Sequence, residues 1–359
     1  MTNDQVRVLV VDDSAYNRRT IIKILETIPG VEVVGYAVNG EEGLRKVVDL
    51  KPDLITLDLE MPRMDGFSFL RVVMQNRPTP VIVVSARSED QNVFKALELG
   101  AVEFVAKPSD RVSPDLFNIQ EDLIQKVRTI ARTDMKKVLN RPPPGAVPPS
   151  RQADKIRASV NGEHINQVVI AASTGGPPAL QAILSAIRWP IPLGIAIAQH
   201  MPPGFTKAFA DRLNKFCPLE IREARSGDRM CPGTVLVAPG AKNLLFRRRG
   251  DETLVEVVEP AVNQRYTPSA DVLFTSASEV FGSRLLGVVL TGMGNDGARG
   301  VVSIKEEGGC VFAEAESSSV VFGMPKEAIA TGKVDKIVPL PQMGGAILHH
   351  CGFTRYSTS

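Results

Sequence analysis

The chain has 359 residues, of which 43% are hydrophobic and 23% are charged, and its formal net charge at pH 7 is +2. A single hydrophobic core stops growing at about 250–300 residues, so this length predicts two domains. We expect a cytoplasmic protein that is not membrane-embedded and binds no nucleic acid, because the sequence shows no membrane-length apolar run, no signal peptide and no strongly basic character.

The first part of the chain alternates apolar runs with amphipathic segments. The apolar runs predict five buried strands: 6–11, 31–37, 54–57, 81–84 and 104–106. The amphipathic segments at 15–28 and 41–49 predict helices between them. This βαβα order predicts an α/β domain with a parallel, doubly wound sheet, in which ligands bind at the carboxyl ends of the strands.

Polar side chains follow four of these predicted strands. Asp12, Asp13 and Asp58 form a set of neighbouring carboxylates, which repel one another unless a cation lies among them. Oxygen ligands of this kind suit Mg²⁺. Ser85 and Lys107 add a hydroxyl and a cation at the same edge of the sheet, and the whole set suits a phosphoryl group bound through Mg²⁺.

This first domain resembles the receiver domain of bacterial two-component response regulators. The resemblance rests on the aspartates at 12–13, the run D-L-E-M-P-R-M-D-G at 58–66, Ser85 and the Lys-Pro pair at 107–108. It implies a flavodoxin-like fold that holds Mg²⁺ with the three carboxylates.

The resemblance also implies a role for each neighbouring residue. Asp58 would accept phosphate from a chemotaxis histidine kinase, and Lys107 would pair with the phosphoryl oxygens. Ser85 would follow the phosphate through a hydrogen bond, while Phe104 would repack. For Phe104, plain core packing is nearly as good an interpretation.

A change in composition separates the two domains. The run R-P-P-P-G-A-V-P-P-S at 141–150 excludes a helix or a central strand and predicts a semi-rigid linker. We place the receiver domain at 1–138, the linker at 139–163, the second domain at 164–348 and a tail at 349–359. The tail contains His349, His350 and Cys351, for which we favour a disordered end over a metal site.

The second domain shows the same alternation and predicts a Rossmann-like α/β domain with another doubly wound parallel sheet. Predicted strands lie at 168–172, 195–199, 234–238, 254–258, 286–291 and 310–313. Helical patterns follow the first strand as far as residue 187 and recur at 205–216 and 269–281. The segment 247–251 predicts a hairpin turn.

Ser173, His200 and Asp296 each follow a predicted strand of this domain. A serine hydroxyl needs a base to become a nucleophile near pH 7, and imidazole, with an ordinary pKa of ~6.5, can take its proton. A carboxylate on the other ring nitrogen stabilises the imidazolium. Backbone N–H groups within 292–296 would stabilise an oxyanion.

A competing interpretation uses the same glycine-rich loop. Gly292, Gly294 and Gly297 spell G-x-G-x-x-G after a strand, with Glu314 and Glu316 about 20 residues further on, as in a dinucleotide-binding site. The protein would then be a non-enzymatic response regulator whose second domain binds a nucleotide. The carboxylate of residue 296 argues against this, because it would repel a pyrophosphate.

The second domain resembles the chemotaxis protein-glutamate methylesterases. The matching runs are A-S-T-G-G-P at 172–177, Q-H-M-P-P-G-F-T at 199–206, T-P-S-A-D at 267–271, T-G-M-G-N-D-G at 291–297 and V-F-G-M-P at 321–325. Ala171 departs from the glycine that is commoner before the first run. The resemblance implies a catalytic triad of Ser173, His200 and Asp296, with Thr174 and Met293 beside it and Met293 as a backbone oxyanion donor.

The same resemblance implies the reaction and its partners. The substrates would be glutamate methyl esters, and particular glutamines, on the cytoplasmic region of methyl-accepting chemoreceptors. Hydrolysis would need no cofactor, whereas Mg²⁺ would belong to the receiver phosphorylation site.

Overall fold

The computed structural model describes residues 5–85, 90–107, 115–131, 133–139 and 165–353. The chain divides into two compact units, one up to residue 140 and one from residue 141 onward. The predicted linker, apart from Leu139, lies outside the described residues, as do Pro108 of the Lys-Pro pair and residues 354–359 of the predicted tail. None of the described helices is both long and apolar enough to cross a membrane.

Within its described residues, the first unit alternates strands and helices. In chain order they are β1 (Val6–Val11), α1 (Ala15–Glu26), β2 (Val31–Ala37), α2 (Gly40–Leu50), β3 (Leu54–Asp58), α3 (Gly66–Asn76), β4 (Val81–Ser85), α4 (Asp90–Glu98), β5 (Glu103–Ala106), α5 (Asp115–Ile130) and α6 (Met135–Leu139). All strand pairs are parallel, and the order β2-β1-β3-β4-β5 is that of the flavodoxin-like fold. The predicted fold of this unit is confirmed.

The second unit is larger. Its described elements are β6 (Gln167–Ala172), α7 (Gly176–Ser185), β7 (Gly194–Gln199), α8 (Phe205–Leu213), β8 (Glu220–Glu223), β9 (Thr234–Val237), β10 (Asn243–Arg249), β11 (Glu252–Val258), α9 (Ala270–Phe281), β12 (Leu285–Val289), α10 (Ala298–Glu306), β13 (Cys310–Glu314), α11 (Met324–Ala330), β14 (Lys336–Val338) and α12 (Leu340–His350). The main sheet has the order β14-β13-β12-β6-β7-β9-β8, with parallel pairing throughout. The predicted parallel α/β fold is therefore confirmed.

The direction of chain progression reverses between β12 and β6. From β6 the sheet grows through β7 on one side and through β12 on the other, which makes this a topological switch point, the place where open α/β sheets bind ligands. Alternate residues of β6 face two cores. Val169 and Ala171 join the buried cluster beneath α9, whereas Val168 and Ile170 lie against Ile183 of α7. The strand is buried along its whole length, as its apolar run predicts.

Several elements differ from the expectations. The short edge strands β8 and β14 and the strand β10 were not predicted, and β10 pairs with β11 in a separate antiparallel hairpin. The helix predicted at 205–216 ends at Leu213. In β8, only Ile221 is buried, so a continuous apolar run is missing there. The predicted turn at 247–251 is shorter, because residues 247–249 still pair within the hairpin.

The expectation of a disordered end fails for residues 349–353. Helix α12 includes His349 and His350, and the next residues, Cys351 and Phe353, are only 4% and 8% exposed. The backbone N–H groups of Cys351 and Phe353 also donate to the Ile347 and Leu348 carbonyls of α12, at 2.9 and 2.8 Å. Among the side chains that the structure describes, potential metal ligands converge in a group of three only at Asp12, Asp13 and Asp58, so the alternative of a metal site here has no geometric support.

Candidate active site and candidate metal centre

Ser173 and His200 follow adjacent strands of the main sheet. The register of β6 and β7 pairs Ala172 with Gln199, so the next residue of each strand reaches the edge of the sheet side by side. Adjacent strands lie about 4.8 Å apart. The backbone continues the ladder beyond the strands, since the His200 N–H donates to the Ala172 carbonyl at 3.0 Å.

The loop after β12 lies directly against Ser173. The Ser173 N–H donates to the Thr291 carbonyl at 3.0 Å. A Cβ atom at Gly292 would lie only 2.7 Å from Ser173 Cβ, so glycine is required for this close approach. Ser173 itself is 9% exposed. No described residue makes a hydrogen bond with its hydroxyl, a bond that in such sites often tightens only when substrate binds.

His200 and Asp296 form the central pair of the site. His200 Nε2 lies 2.8 Å from Asp296 Oδ2, and the histidine side chain is 14% exposed while the aspartate side chain is 2% exposed. Since Nε2 faces the carboxylate, Nδ1 is the ring nitrogen that remains for the nucleophile. The serine-protease template uses the two nitrogens the other way round.

The first turn of α9 holds the Asp296 carboxylate. Its Oδ1 accepts hydrogen bonds from Ser269 Oγ at 2.9 Å and from the Asp271 N–H at 3.0 Å, and its Oδ2 accepts one from the Ala270 N–H at 2.6 Å. Burial by itself raises the pKa of Asp296. The hydrogen bonds from His200 and from the backbone outweigh that effect and hold the pKa below its usual range, so the carboxylate stays ionised.

A second carboxylate completes a reciprocal arrangement. Asp271, in the first turn of α9, accepts hydrogen bonds at the start of α10 from the Gly297 N–H at 3.0 Å and the Gly300 N–H at 2.9 Å. It also accepts one from Arg299 Nε at 2.9 Å. Asp296 and Asp271 thus each bind the N-terminus of the other's helix, and we call this pair the reciprocal clamp.

The remaining predicted neighbours of the site lie on well-anchored loops. Thr174 is 2% exposed, and its carbonyl accepts a hydrogen bond from Thr291 Oγ1 at 2.9 Å. The loop that carries Met293 is bound on both sides, because the Gly292 N–H donates to the Val321 carbonyl at 3.0 Å and the Met324 N–H donates to the Gly292 carbonyl at 2.8 Å. The run at 321–325 therefore supports this loop.

Glu314 also has a structural explanation. Its side chain is fully buried, Oε2 accepts from the Thr291 N–H at 2.8 Å, and Oε1 accepts from Ser318 Oγ at 2.9 Å. Glu314, which would bind the ribose in a nucleotide site, thus binds the backbone of the loop after β12 instead. Together with Asp296 inside the glycine loop, this contradicts the requirements of the nucleotide-binding alternative, which is not favoured.

The first unit brings its three predicted carboxylates together. Carboxylate oxygens of Asp12, Asp13 and Asp58 lie within 4.8 Å of one another. Asp12 and Asp58 are each 1% exposed, and the Oδ2 atom of each is buried without a hydrogen-bond partner among the described residues. Lys107 Nζ lies 2.8 Å from Asp58 Oδ1. Two buried, unpartnered carboxylate oxygens beside a third carboxylate fit a hard divalent cation such as Mg²⁺.

The pKa values of Asp12 and Asp58 are both shifted by burial. Burial, followed by the charge of Asp58, raises the pKa of Asp12 to about 6. Burial also raises the pKa of Asp58, although Lys107 acts in the opposite direction. Both shifts express a local excess of negative charge in a poorly solvated place, which a bound cation would relieve.

Ser85 lies on β4, the strand next to that of Asp58, and Phe104 lies on β5, the strand beyond it. Ser85 is fully buried at the end of β4, and its carbonyl accepts a hydrogen bond from the Lys107 N–H at 2.8 Å. Phe104 is 2% exposed and packs edge-to-face on Phe94 with ring centroids 6.4 Å apart. Lys126 Nζ donates to the Phe104 carbonyl at 2.7 Å.

Comparisons with known proteins match both units. The sequence profile described as CheB methylesterase matches residues 168–347, and that of the response regulator receiver domain matches residues 8–113. The protein-glutamate methylesterase/protein-glutamine glutaminase 3 of Geobacter sulfurreducens is 52% identical, over 97% of this chain and 98% of that protein. The chain belongs to the CheB methylesterase family.

Other members of the CheB methylesterase family agree in length and fold. The protein-glutamate methylesterase/protein-glutamine glutaminase 1 of Myxococcus xanthus is 47% identical over 95% of this chain and 96% of that protein. The crystal structure of the Thermotoga maritima CheB methylesterase catalytic domain is 36% identical in sequence, with a TM-score of 0.50. The match covers 51% of this chain and 97% of the chain in that structure. The resemblance inferred from the motifs is therefore confirmed.

Two contributors to this CheB-family site were missed by the sequence reasoning. Asp271 lies in a run that was matched to the family without a role, and Tyr266 was not considered at all, although its ring stacks on that of His200. Ser269 before an apolar helix is a recognisable N-cap signal. Neither the reciprocal clamp nor the ring stack leaves a local signature, because each joins distant segments.

The reciprocal clamp generates a prediction for Asp271→Ala. Loss of a helix cap costs about 0.5–2 kcal/mol, so we expect the free energy of unfolding of the second unit to fall by about that amount in denaturant titration. Because Gly297 directly follows Asp296, we also expect ester hydrolysis to fall by about tenfold or more. Asp211→Ala is the matched control, since its surface ion pair with Lys207 contributes little. Equal effects of the two substitutions would contradict a role for the clamp.

The carboxylate cluster generates a prediction for Mg²⁺. Binding to the folded state alone stabilises it by RT ln(1 + [L]/Kd), about 1.4 kcal/mol at ten times Kd, so Mg²⁺ should raise the melting temperature of the first unit. Asp12→Asn should remove this effect. Asp49→Asn, an exposed carboxylate on α2, should retain it. An Mg²⁺ shift of equal size in all three proteins would show that the ion binds elsewhere.

Proposed function

We propose that this protein hydrolyses methyl esters of glutamate side chains on chemoreceptors, deamidates specific glutamines there, and is controlled by phosphorylation of Asp58. The observation that carries the proposal is the His200–Asp296 pair at 2.8 Å beside Ser173, at the switch point of the sheet. Curated relatives that align with almost the whole chain are named for both activities. Chemoreceptor substrates of this kind imply that the protein acts in the cytoplasm.

The first half-reaction forms an acyl-enzyme. Ser173 Oγ attacks the ester carbonyl carbon while His200 Nδ1 takes the hydroxyl proton, and Asp296 stabilises the imidazolium that results. Collapse of the tetrahedral intermediate breaks the bond to the methoxy oxygen, to which His200 returns the proton, and methanol leaves. With a glutamine substrate, the same proton goes to the amide nitrogen and ammonia leaves.

The second half-reaction releases the product. His200 takes a proton from water, the hydroxide attacks the acyl carbon, and the proton returns to Ser173 Oγ as the glutamate carboxylate is freed. We assign the oxyanion site to the backbone N–H of Met293, with Thr174 beside it, on loops that are tied to each other by two hydrogen bonds of Thr291, to the Ser173 N–H and to the Thr174 carbonyl. Donors fixed in this way need no rearrangement during the reaction.

We assign the regulation of hydrolysis to the first unit. Receiver domains carry a phosphorylation site that depends on Mg²⁺. Here Asp12, Asp13 and Asp58 would hold that ion, which when bound neutralises phosphoryl oxygens. We propose that Asp58 accepts phosphate from a chemotaxis histidine kinase and that Lys107, 2.8 Å away, then pairs with the phosphoryl group.

The readout of phosphorylation and the domain limits are part of the same proposal. We assign the switch to Ser85, at the end of the strand next to that of Asp58, and to Phe104 on β5, one strand further along the sheet. The receiver would extend to residue 138, the linker would occupy 139–163, the catalytic domain would extend from 164 to 348, and the tail would begin at residue 349.

The nucleophile assignment predicts the effect of Ser173→Ala. Methanol release from methylated chemoreceptor membranes should fall by more than about 10³-fold, because the remaining groups cannot form the acyl-enzyme. Ser185→Ala is the matched control. The Ser185 hydroxyl is buried without a hydrogen-bond partner among the described residues, so its removal should leave methanol release unchanged. Undiminished release by Ser173→Ala would reject the assignment.

The phosphorylation site predicts the effect of Asp58→Asn. A small phosphodonor with Mg²⁺ should increase methanol release by the wild-type protein, whereas Asp58→Asn should keep basal release and lose the stimulation, because an amide cannot accept the phosphoryl group. Asp49→Asn, with its exposed side chain, should respond as the wild type does. Stimulation that persists in Asp58→Asn would move the switch to another residue.

A further inference from the structure

The Tyr266 ring lies flat against the imidazole of His200. The two ring centroids are 5.2 Å apart, and the ring planes differ by only 4°. Offset parallel stacking of this kind is a favourable arrangement of two π-systems. Tyr266 belongs to the segment between β11 and α9, so the contact joins this segment to the end of β7.

Among the described residues, the His200 side chain otherwise makes one polar contact, the bond from Nε2 to Asp296. A single hydrogen bond at the far end of the ring fixes the distance to Asp296 but leaves the ring free to turn about its Cβ–Cγ bond. Such a rotation would carry Nδ1 away from Ser173. A parallel, offset ring beside the imidazole opposes the rotation, because a tilted imidazole would clash with the tyrosine ring on one side and lose contact with it on the other.

Tyr266 is itself well anchored. Its carbonyl accepts a hydrogen bond from Gln264 Nε2 at 2.6 Å, and the Arg265 guanidinium carbon lies 5.1 Å from its ring centroid. Three residues later in the chain, Ser269 binds the Asp296 carboxylate. The segment that orients one end of the His200–Asp296 pair therefore also carries the stacked ring.

The tyrosine also contacts the loop that follows β12. Its hydroxyl and the adjoining ring carbon occupy the space that a Cβ atom at Gly294 would need. Gly294 has a φ of 89°, in the left-handed region that favours glycine. One side chain thus touches both the general base and the loop that carries Met293.

We propose that Tyr266 is a positioning residue, which sets the plane of the His200 ring so that Nδ1 faces Ser173. The proposal rests on the proposed function in that His200 must act as the base. The aromatic ring, and not the hydroxyl, carries the effect, because the contact with His200 is made through the ring face. Substrate affinity should depend little on it.

The test compares Tyr266→Leu with Tyr266→Phe. Misplacement of a reacting group by about 1 Å lowers rates by as much as 10²-fold, so Tyr266→Leu should lower kcat for ester hydrolysis by about 10- to 100-fold and change KM by less than about twofold. Tyr266→Phe keeps the flat ring and should stay within about threefold of the wild-type kcat. Phe216→Leu is the matched control, since Phe216 is 42% exposed and also has an arginine near its ring.

A second readout does not depend on the natural substrate. A fluorophosphonate probe reacts when Ser173 Oγ attacks phosphorus, His200 takes the hydroxyl proton and fluoride leaves. Its labelling rate therefore reports the serine–histidine geometry directly. Tyr266→Leu should be labelled about tenfold or more slowly than the wild type, while Tyr266→Phe and Phe216→Leu should be labelled at nearly the wild-type rate.

Each outcome decides the proposal. Wild-type rates in Tyr266→Leu would overturn it, and equal losses in the Leu and Phe variants would overturn it by assigning the effect to the hydroxyl. If Tyr266→Leu loses cooperative unfolding, Tyr266→Met replaces it. A wild-type protein that is labelled at Ser173 but releases no methanol would refute the proposed substrate, while the labelling series would still test Tyr266. Absence of both reactions would overturn both proposals.

Discussion

The geometry of the candidate active site depends on a carboxylate held at the start of a helix. Asp296 is 3% exposed, and it remains ionised because Ser269, two backbone N–H groups and His200 donate to it. Asp271 binds the neighbouring helix in return. A shift of α9 or of α10 would break hydrogen bonds of both carboxylates, so the orientation of His200 is coupled to the packing of α9 on α10.

The buried carboxylates of the two units have opposite surroundings. Around Asp296, protein donors satisfy both oxygens, and the pKa is lowered. Around Asp12 and Asp58, one oxygen of each remains without a partner among the described residues, and the pKa of both is raised. A carboxylate whose oxygens are both hydrogen-bonded stays charged and orients its neighbour. A cluster of carboxylates that lacks donors favours a bound cation. Aspartate thus fixes the geometry of a neighbouring side chain in one unit, and in the other it forms a cluster whose net charge a bound ion would change.

The sequence predicted those features that depend on short stretches of chain. Buried parallel strands read as apolar runs, and parallel sheets bind ligands at the carboxyl ends of their strands, so the sequence could place Ser173 and His200 at that edge of the sheet. Their proposed roles came from the family motifs. The strands β8 and β14 lie at the edges of the sheet and lack such runs. The stack of Tyr266 on His200 and the bonds of Asp271 join remote segments, and only the folded chain specifies these contacts.

The choice of ring nitrogen in His200 has a mechanical consequence. Nε2, at the far end of the imidazole, is bound to Asp296, so Nδ1 is the nitrogen left for Ser173 in the proposed reaction. Nδ1 lies to one side of the Cβ–Cγ axis, whereas Nε2 lies closer to that axis. A turn of the ring about Cβ–Cγ therefore displaces Nδ1 more than Nε2, and the bond to Asp296 can survive a turn that takes Nδ1 out of line. In this arrangement the plane of the ring decides where the proposed base lies, which a template with the two nitrogens exchanged would require less strictly.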